Sequence, residues 1–279
     1  MSDHPADSFT GRFAFGENWV DYARRIDESH VEQAIQGLRQ LLGVEDLKGK
    51  RFLDIGSGSG VHAVAALRLD AAHVDAVDFD PRSVEASTAT LTRFSAGQSW
   101  TVERKSVFDL TPATQGTYDV VYSWGVLHHT GAMHPALQAA ASMVAPGGCF
   151  VFALYRRTIL CPLWKMEKRW YANASAATQA SARRFIIGMK RAMFAVAGRD
   201  FNAYVEGYKA RRGMLFEQDL HDWMGGWPYE SISPMAVDRA MKRLGLTKVR
   251  AFAKGGYFLG VRWTEFGSGC DEFVYRRPA

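Results

Sequence analysis

The sequence predicts an α/β fold: a doubly wound, mostly parallel sheet carrying a helical, aromatic-rich insertion. Three observations carry this expectation. Short apolar runs alternate with helix-like stretches over residues 49–154. That rhythm stops at Tyr155 and returns after Pro234. A strand-like run ending in alternating glycines, Arg51-Phe-Leu-Asp-Ile-Gly-Ser-Gly-Ser-Gly60, leads directly into a helix-like stretch.

The elements follow in order. From Glu17 to Leu42, the residues Trp19, Tyr22, Ile26, Ala34, Leu38 and Leu41 recur at helical spacing, with a break near Ser29. Strands are expected at Arg51–Ile55, Val74–Val77, Trp100–Glu103, Tyr118–Tyr122 and Cys149–Leu154, and helices between them at Val61–Leu69, Pro81–Ser95 and Pro135–Val144. Asp80 suits an N-cap and Pro81 a first helical turn. After Pro234, a helix at Met235–Leu244 and strands at Thr247–Phe252 and Glu272–Arg276 should rejoin the sheet. Four segments result: an N-terminal helical cap (1–48), a core (49–154), a helical insertion (155–230) and a C-terminal completion of the sheet (231–279).

Of 279 residues, 47% are apolar and 23% charged, which fits a folded globule and excludes a disordered or collagen-like chain. Cys149, Cys161 and Cys270 are too few and too scattered for a disulfide framework or a metal knuckle. No apolar run reaches the ~18 residues of a membrane span, and the opening MSDHPADSFT lacks the apolar stretch of a signal peptide. A cytoplasmic location is the expectation. The net charge of +5 is localised: residues 151–230 hold 13 Lys/Arg against 7 Asp/Glu, and the rest of the chain is near neutral. Such a segment is either a solvated helical face or an attractor of acidic ligands. Within it, Phe185, Met189, Met193 and Val196 form a helical stripe, expected to be a core face rather than a membrane-surface one.

The glycine run carries the first chemistry. Gly56, Gly58 and Gly60 let the backbone pass close to a bound molecule, and the following helix N-terminus offers free N–H groups. A dinucleotide fingerprint would place its third glycine at position 61, which is Val61 here. The acidic Asp54 before the glycines would repel a pyrophosphate and suits an ammonium. The second signal is Val74-Asp-Ala-Val-Asp-Phe-Asp80. Asp78 at this strand tip is placed to accept from both hydroxyls of a ribose, with Phe79 beside it for a purine face. Asp80 reads as a helix cap.

In this order and spacing, residues 50–155 resemble the class I S-adenosylmethionine-dependent methyltransferases. The stretches that match are FLDIGSGSG (52–60), VDAVDFD (74–80), SVFDL (106–110), YDVVYSWGVLHHT (118–130) and VAPGGCFVFALY (144–155). The resemblance implies a Rossmann-like core that binds S-adenosylmethionine, releases S-adenosylhomocysteine and needs no metal. It implies that Gly56, Ser57 and Gly58 wrap the methionine part, that Asp54 orients its amino group and that Asp78 holds the ribose. Ser106 and Val107 would meet the adenine, with Asp109 a nearby alternative to Ser106, and Ser123-Trp124-Gly125 would border the sulfonium. Beyond the core, FAFGENW (13–19), RGM (212–214), HDWMGGWPYE (221–230) and GCDEFVY (269–275) are similar to a subgroup related to the ubiquinone-type O-methyltransferases and to enzymes of bacterial glycan and secondary-metabolite pathways. The long basic insertion departs from the pattern of the ubiquinone-type enzymes, which weighs against a quinone precursor as acceptor.

Methyl transfer to a hydroxyl needs proximity and a proton acceptor. His128 and His129, at the mouth of the fourth strand, are the candidate bases; a tie for the following turn is the competing role. With His134 they find no carboxylate or cysteine at ligand spacing, so no metal is expected. Trp19, together with Phe13 and Phe15, should form a lid over the cofactor or pack beneath the sheet. For the acceptor, a small molecule bearing a hydroxyl, the candidates are Tyr155, Arg211, Arg212, Asp222, Trp223, Trp227, Tyr229 and Glu230. The stretch 221–230, too rich in aromatics and glycine for a surface loop, is read as part of the acceptor site or as a packed hairpin that anchors the insertion. Neither an RNA-binding module nor a base-methylation tetrad is present, so nucleic acid is not the expected partner. No feature fixes an oligomeric state.

Overall fold

The computed structural model describes residues 13, 15–208, 216–252, 256–258, 261–263 and 269–279. Arg211, Arg212 and the RGM stretch lie outside the described residues. Strands β1 (Arg51–Ile55), β2 (His73–Asp78), β3 (Trp100–Arg104), β4 (Tyr118–Trp124) and β5 (Val144–Tyr155) are parallel. They join β6 (Thr247–Phe252) and β9 (Cys270–Arg276) in a seven-stranded sheet of order β3-β2-β1-β4-β5-β9-β6, in which β9 is antiparallel to both its neighbours. A separate hairpin pairs β7 (Gly256–Phe258) with β8 (Val261–Trp263).

Helices α1 (Gly16–Ala23), α2 (Glu28–Leu42), α3 (Val61–Arg68), α4 (Pro81–Phe94), α5 (Pro112–Gln115) and α6 (Met133–Ser142) punctuate the first half. The helices α7 (Cys161–Ala172), α8 (Ala176–Val196), α9 (Phe201–Glu206) and α10 (Phe216–Gly225) follow, and α11 (Pro234–Arg243) leads back to the sheet. The break expected near Ser29 is Asp27, whose carboxylate accepts from the Ser29 and His30 N–H groups and starts α2. The sheet has an apolar core on each face. In one, Leu53, Phe150, Phe152 and Phe273 meet α6 and α11; in the other, Phe52, Val74 and Tyr122 meet α2 and α3.

Contacts divide the chain into two units. The larger runs from Ala14 to Cys161 and resumes over Glu230–Ala279; the smaller is Pro162–Tyr229 together with Phe13. The smaller unit has its own core of Tyr171, Phe201, Tyr208, Phe216, Leu220 and Met224.

Three expectations are corrected. The sixth helix stops at Ser142, and Val144 opens β5. The strand continues through Gly147-Gly148, where a Cβ on Gly148 would sit 2.9 Å from three carbonyl oxygens, so only glycine fits. The stripe Phe185, Met189, Met193 and Val196 is not a core face: α8 has no buried residue, and Phe185 and Val196 are 71% and 91% exposed. The small core takes Ala182, Ile186, Ile187 and Phe194 from α8, of which Ile187 and Phe194 lie opposite the stripe. Finally, His221 to Gly225 is not a hairpin but the last part of α10, because Phe216, Leu220 and Met224 recur at helical spacing into that core.

Candidate functional site

The strand order reverses at β1, whose neighbours are β2 and β4, so the C-terminal ends of these strands form the switch point at which open α/β sheets bind ligands. Asp54 sits there, next to last in β1, in register with Ala76 and Tyr122. It is 2% exposed and its Oδ2 has no hydrogen-bond partner. Burial first, and the charge of Asp78 second, push its carboxyl up to about 8. The hydroxyl of Tyr122 is likewise buried without a partner, and burial raises it well above the usual tyrosine range. An unsatisfied buried polar atom costs about 1–3 kcal/mol, so such atoms mark where a ligand supplies the missing groups.

The glycine turn is tied down from below. The N–H groups of Gly56 and Ser57 donate to the Val77 carbonyl at 2.7 and 3.2 Å. The Ser57 and Ser87 hydroxyls are 2.8 Å apart, and Ser87 Oγ donates to the Gly58 carbonyl. Gly60, left-handed at φ +77°, caps α3. Above the turn lies α1: a Cβ on Gly58 would come within 3.0 Å of the Trp19 ring. Helix α1 is anchored by the Gly16 N–H, which donates to Asp80 Oδ2 at 3.0 Å. Asp80 also caps α4 through the Arg82 N–H at 2.8 Å, as the sequence suggests.

Asp78 braces the same turn. Its Oδ2 accepts from the Gly58 N–H at 3.0 Å and its Oδ1 from the Asp80 N–H at 2.9 Å. The Phe79 N–H also bonds to this carboxylate, which leaves at least one of its four lone-pair sites for a further donor. Burial raises its carboxyl to about 6. Beside it, Phe79 is half-buried under the Arg104 guanidinium, 5.8 Å from the ring centroid. The Lys105 N–H donates to the Asp78 carbonyl and brings in the next turn, where Ser106 caps the 3₁₀ turn Val107–Asp109. Ser106 and Val107 are both buried.

On the β4 side, Ser123 is a strut: it is fully buried and its Oγ donates to the Ile55 carbonyl at 3.1 Å. Trp124 is half-buried and stacks on Tyr122, with centroids 5.8 Å apart and planes 5° from parallel. His128 is 1% exposed, its ring 4.0 Å from Tyr155 and 4.3 Å from His129. His129 is half-buried between Phe15 and Tyr155, each 5.3 Å away. Glu230 clamps this corner: its N–H donates to the His128 carbonyl and its carboxylate accepts from the Met133 N–H at the start of α6. Sequence reasoning missed Tyr122 and His62, whose rings are 5.0 Å apart. Burial lowers the His62 imidazole to about 4. Apolar patterning reads both as core, and only the pairing of β1 with β4 brings Tyr122 beside Asp54.

In the smaller unit, Trp223, Trp227 and Tyr229 gather around α7. The Lys168 ammonium is buried, donates to the Trp223 carbonyl and lies 4.0 Å from the Trp223 ring centroid and 5.6 Å from that of Tyr229. Burial lowers Lys168 to about 8 and raises its neighbour Glu167 to about 7. Glu167 Oε2 lies 3.6 Å from the Lys168 ammonium as an ion pair, and Trp223 Nε1 is buried without a hydrogen-bond partner. Trp227 accepts the Phe13 N–H at 3.1 Å and has Arg169 5.9 Å from its ring. Asp222 is half-buried on α10. Glu167 and Lys168, also missed in the sequence, are charged residues inside a charge-rich helix and carry no motif. No group of three His, Cys, Asp or Glu that could hold a metal occurs among the described residues.

A switch point in strand order, a glycine turn and two strand-tip carboxylates are the features by which open α/β sheets bind nucleotides. The chain belongs to the methyltransferase-domain family, whose model matches residues 27–250. Among curated proteins it is similar to the ubiquinone biosynthesis O-methyltransferase of Parvibaculum lavamentivorans, at 28% identity over 56% of this chain and 57% of that protein. The protein of the same name from Methylocella silvestris is 25% identical over 75% of this chain and 76% of the relative. The chain thus spans 57% and 65% of the first two curated relatives it matches. Two solved structures share the fold. Magnesium protoporphyrin IX methyltransferase of Synechocystis PCC 6803 superposes with a TM-score of 0.50 at 12% identity, over 89% of this chain and 79% of its own. An S-adenosylmethionine-dependent methyltransferase of Mesorhizobium loti gives 0.50 at 16%, over 87% and 96%.

Proposed function

We propose that the protein is a class I S-adenosylmethionine-dependent methyltransferase that methylates a hydroxyl oxygen of a small molecule. The observation that carries this reading is Asp54, a buried carboxyl with an unpartnered oxygen beside the glycine turn. An ammonium there supplies both the missing donor and the opposite charge. Two further supports are the solved relative from Synechocystis, described with S-adenosylmethionine bound, and the names of the curated relatives.

When bound, the cofactor supplies a methyl group on a sulfonium, an electrophile already activated. Asp54 takes the amino group, and Asp78 receives the ribose on the lone-pair capacity its backbone donors leave open. Ser106 and Val107 border the adenine. Trp19 over Gly58 keeps water from the methionine part. His129, half-buried beside Tyr155, receives the proton of the acceptor hydroxyl, and His128 packs against its ring in a tilted contact. A general base of this kind contributes about 10²–10⁴-fold. The aromatic faces of Trp223 and Tyr229, with the carboxyl groups of Glu167 and Asp222, suit a saccharide, polyol or secondary metabolite. We assign the choice of acceptor to the insertion that carries them.

Incubating the protein with methyl-labelled S-adenosylmethionine and fractionated host metabolites and glycans tests the reading. Label on a hydroxyl-bearing small molecule is the expected result. Label on an amine or thiol, with turnover unchanged by loss of either histidine, replaces it with a proximity-only N- or S-transfer.

A further inference from the structure

The exposed apolar face of the insertion has a chemistry of its own, independent of the methyl-transfer site. Over Cys161–Val196 the chain holds seven Lys/Arg and one acidic residue, Glu167. Both helices of this stretch turn large apolar side chains outward. On α7 these are Leu163, Met166 and Trp170, exposed by 54%, 71% and 53%. On α8 they are Phe185, Met189, Met193 and Val196, spaced to share one face. That face is opposite Ile187 and Phe194, which the insertion core holds. A soluble helix normally buries its larger stripe, so an uncovered one signals an interaction surface.

Charge decides what covers it. Lys165 and Arg169 on α7, and Arg184 and Arg191 on α8, are exposed. A second copy of this chain would bring the same four exposed cations against them and be repelled. An anionic lipid surface attracts them. Phe, Met and Leu then enter the headgroup boundary, Trp170 anchors at its depth, and the long basic side chains reach back to the phosphates. We propose that α7 and α8 dock the protein peripherally on an anionic phospholipid bilayer. No helix among the described residues is long and apolar enough to cross it.

Flotation of the full chain with vesicles of phosphatidylcholine alone, or with about a third phosphatidylglycerol, tests this. The protein should float with the anionic vesicles, stay behind with the neutral ones and be released at high salt, where screening shortens to about 3 Å. The double variant Phe185→Ser/Met193→Ser should lose at least tenfold in vesicle affinity, with S-adenosylhomocysteine binding and melting temperature retained. Equal binding to both vesicle types, no binding to either, or unchanged binding by the double variant would overturn the proposal. So would a dimer in solution that the same variant splits, which would assign the face to a second copy of the chain.

Discussion

The carboxyl groups of Asp54 and Asp78 stand at the tips of adjacent parallel strands, and the charge of Asp78 adds to burial in holding a proton on Asp54. With Asp54 at about 8 and Asp78 at about 6, the pair carries close to one charge at neutral pH. An arriving ammonium reverses this preference, because it favours the ionised form of Asp54. Cofactor binding is therefore expected to expel a proton, and affinity to rise with pH from about 6 to about 8. Calorimetric titrations of S-adenosylhomocysteine in buffers of different ionisation enthalpy measure that proton. A pH-independent affinity would place the ammonium elsewhere.

The same shift has a cost in stability. Asp54 has a folded-state value of about 8 against an ordinary unfolded value of about 4. Between those values the folded state holds a proton that the unfolded state has lost, so stability falls as pH rises through the window. Asp54→Asn removes this penalty. The ligand-free variant should melt about 2–4 °C higher at pH 7, the shift expected for roughly 1 kcal/mol in a chain of this size. At pH 3, where both states of the wild-type residue are largely protonated, the gain should shrink. A variant that melts lower at pH 7 would show that Asp54 stabilises the fold.

Asp78 accepts two backbone N–H groups that shape the glycine turn. Asp78→Ala should weaken S-adenosylhomocysteine binding by about 1–3 kcal/mol. Asp78→Asn keeps acceptor capacity on one oxygen only and should fall between. Normal binding by both variants would reduce Asp78 to a loop brace.

His128 and His129 should separate by burial. His129→Ala is expected to lower kcat about 10²–10⁴-fold with cofactor affinity intact. His128, fully buried against Tyr155, should instead show its loss as a lower melting temperature. Unchanged kcat in both variants would leave proximity alone as the source of rate.

The N-terminal segment gives a further test. Helix α1 is held by Gly16 on Asp80 and lays Trp19 over Gly58. If α1 acts as a lid, limited proteolysis near it should slow only when S-adenosylhomocysteine is present. Equal protection with and without ligand would make α1 a fixed part of the core.

The core was legible because local signals and the global fold agree there. β1 lies where the apolar run Arg51–Ile55 puts it, and Asp80 and Pro81 start α4 as capping chemistry requires. The insertion was less legible. The stripe on α8 has the same period whether it faces a core or solvent, and composition alone could not tell that the small core would take the other face. The orphaned oxygens of Asp54 and Tyr122 were invisible for a different reason. Whether a polar group is partnered depends on what the folded chain brings beside it, and no spacing rule encodes that.

The central claim is that the switch point beside Asp54 holds S-adenosylmethionine, and the most direct test is calorimetric titration of the full chain near pH 7. The account predicts one site for S-adenosylhomocysteine, proton release on binding, a loss of about 1.5–3 kcal/mol in Asp54→Asn, and no heat with NAD. Binding of NAD with no response to S-adenosylhomocysteine would contradict it.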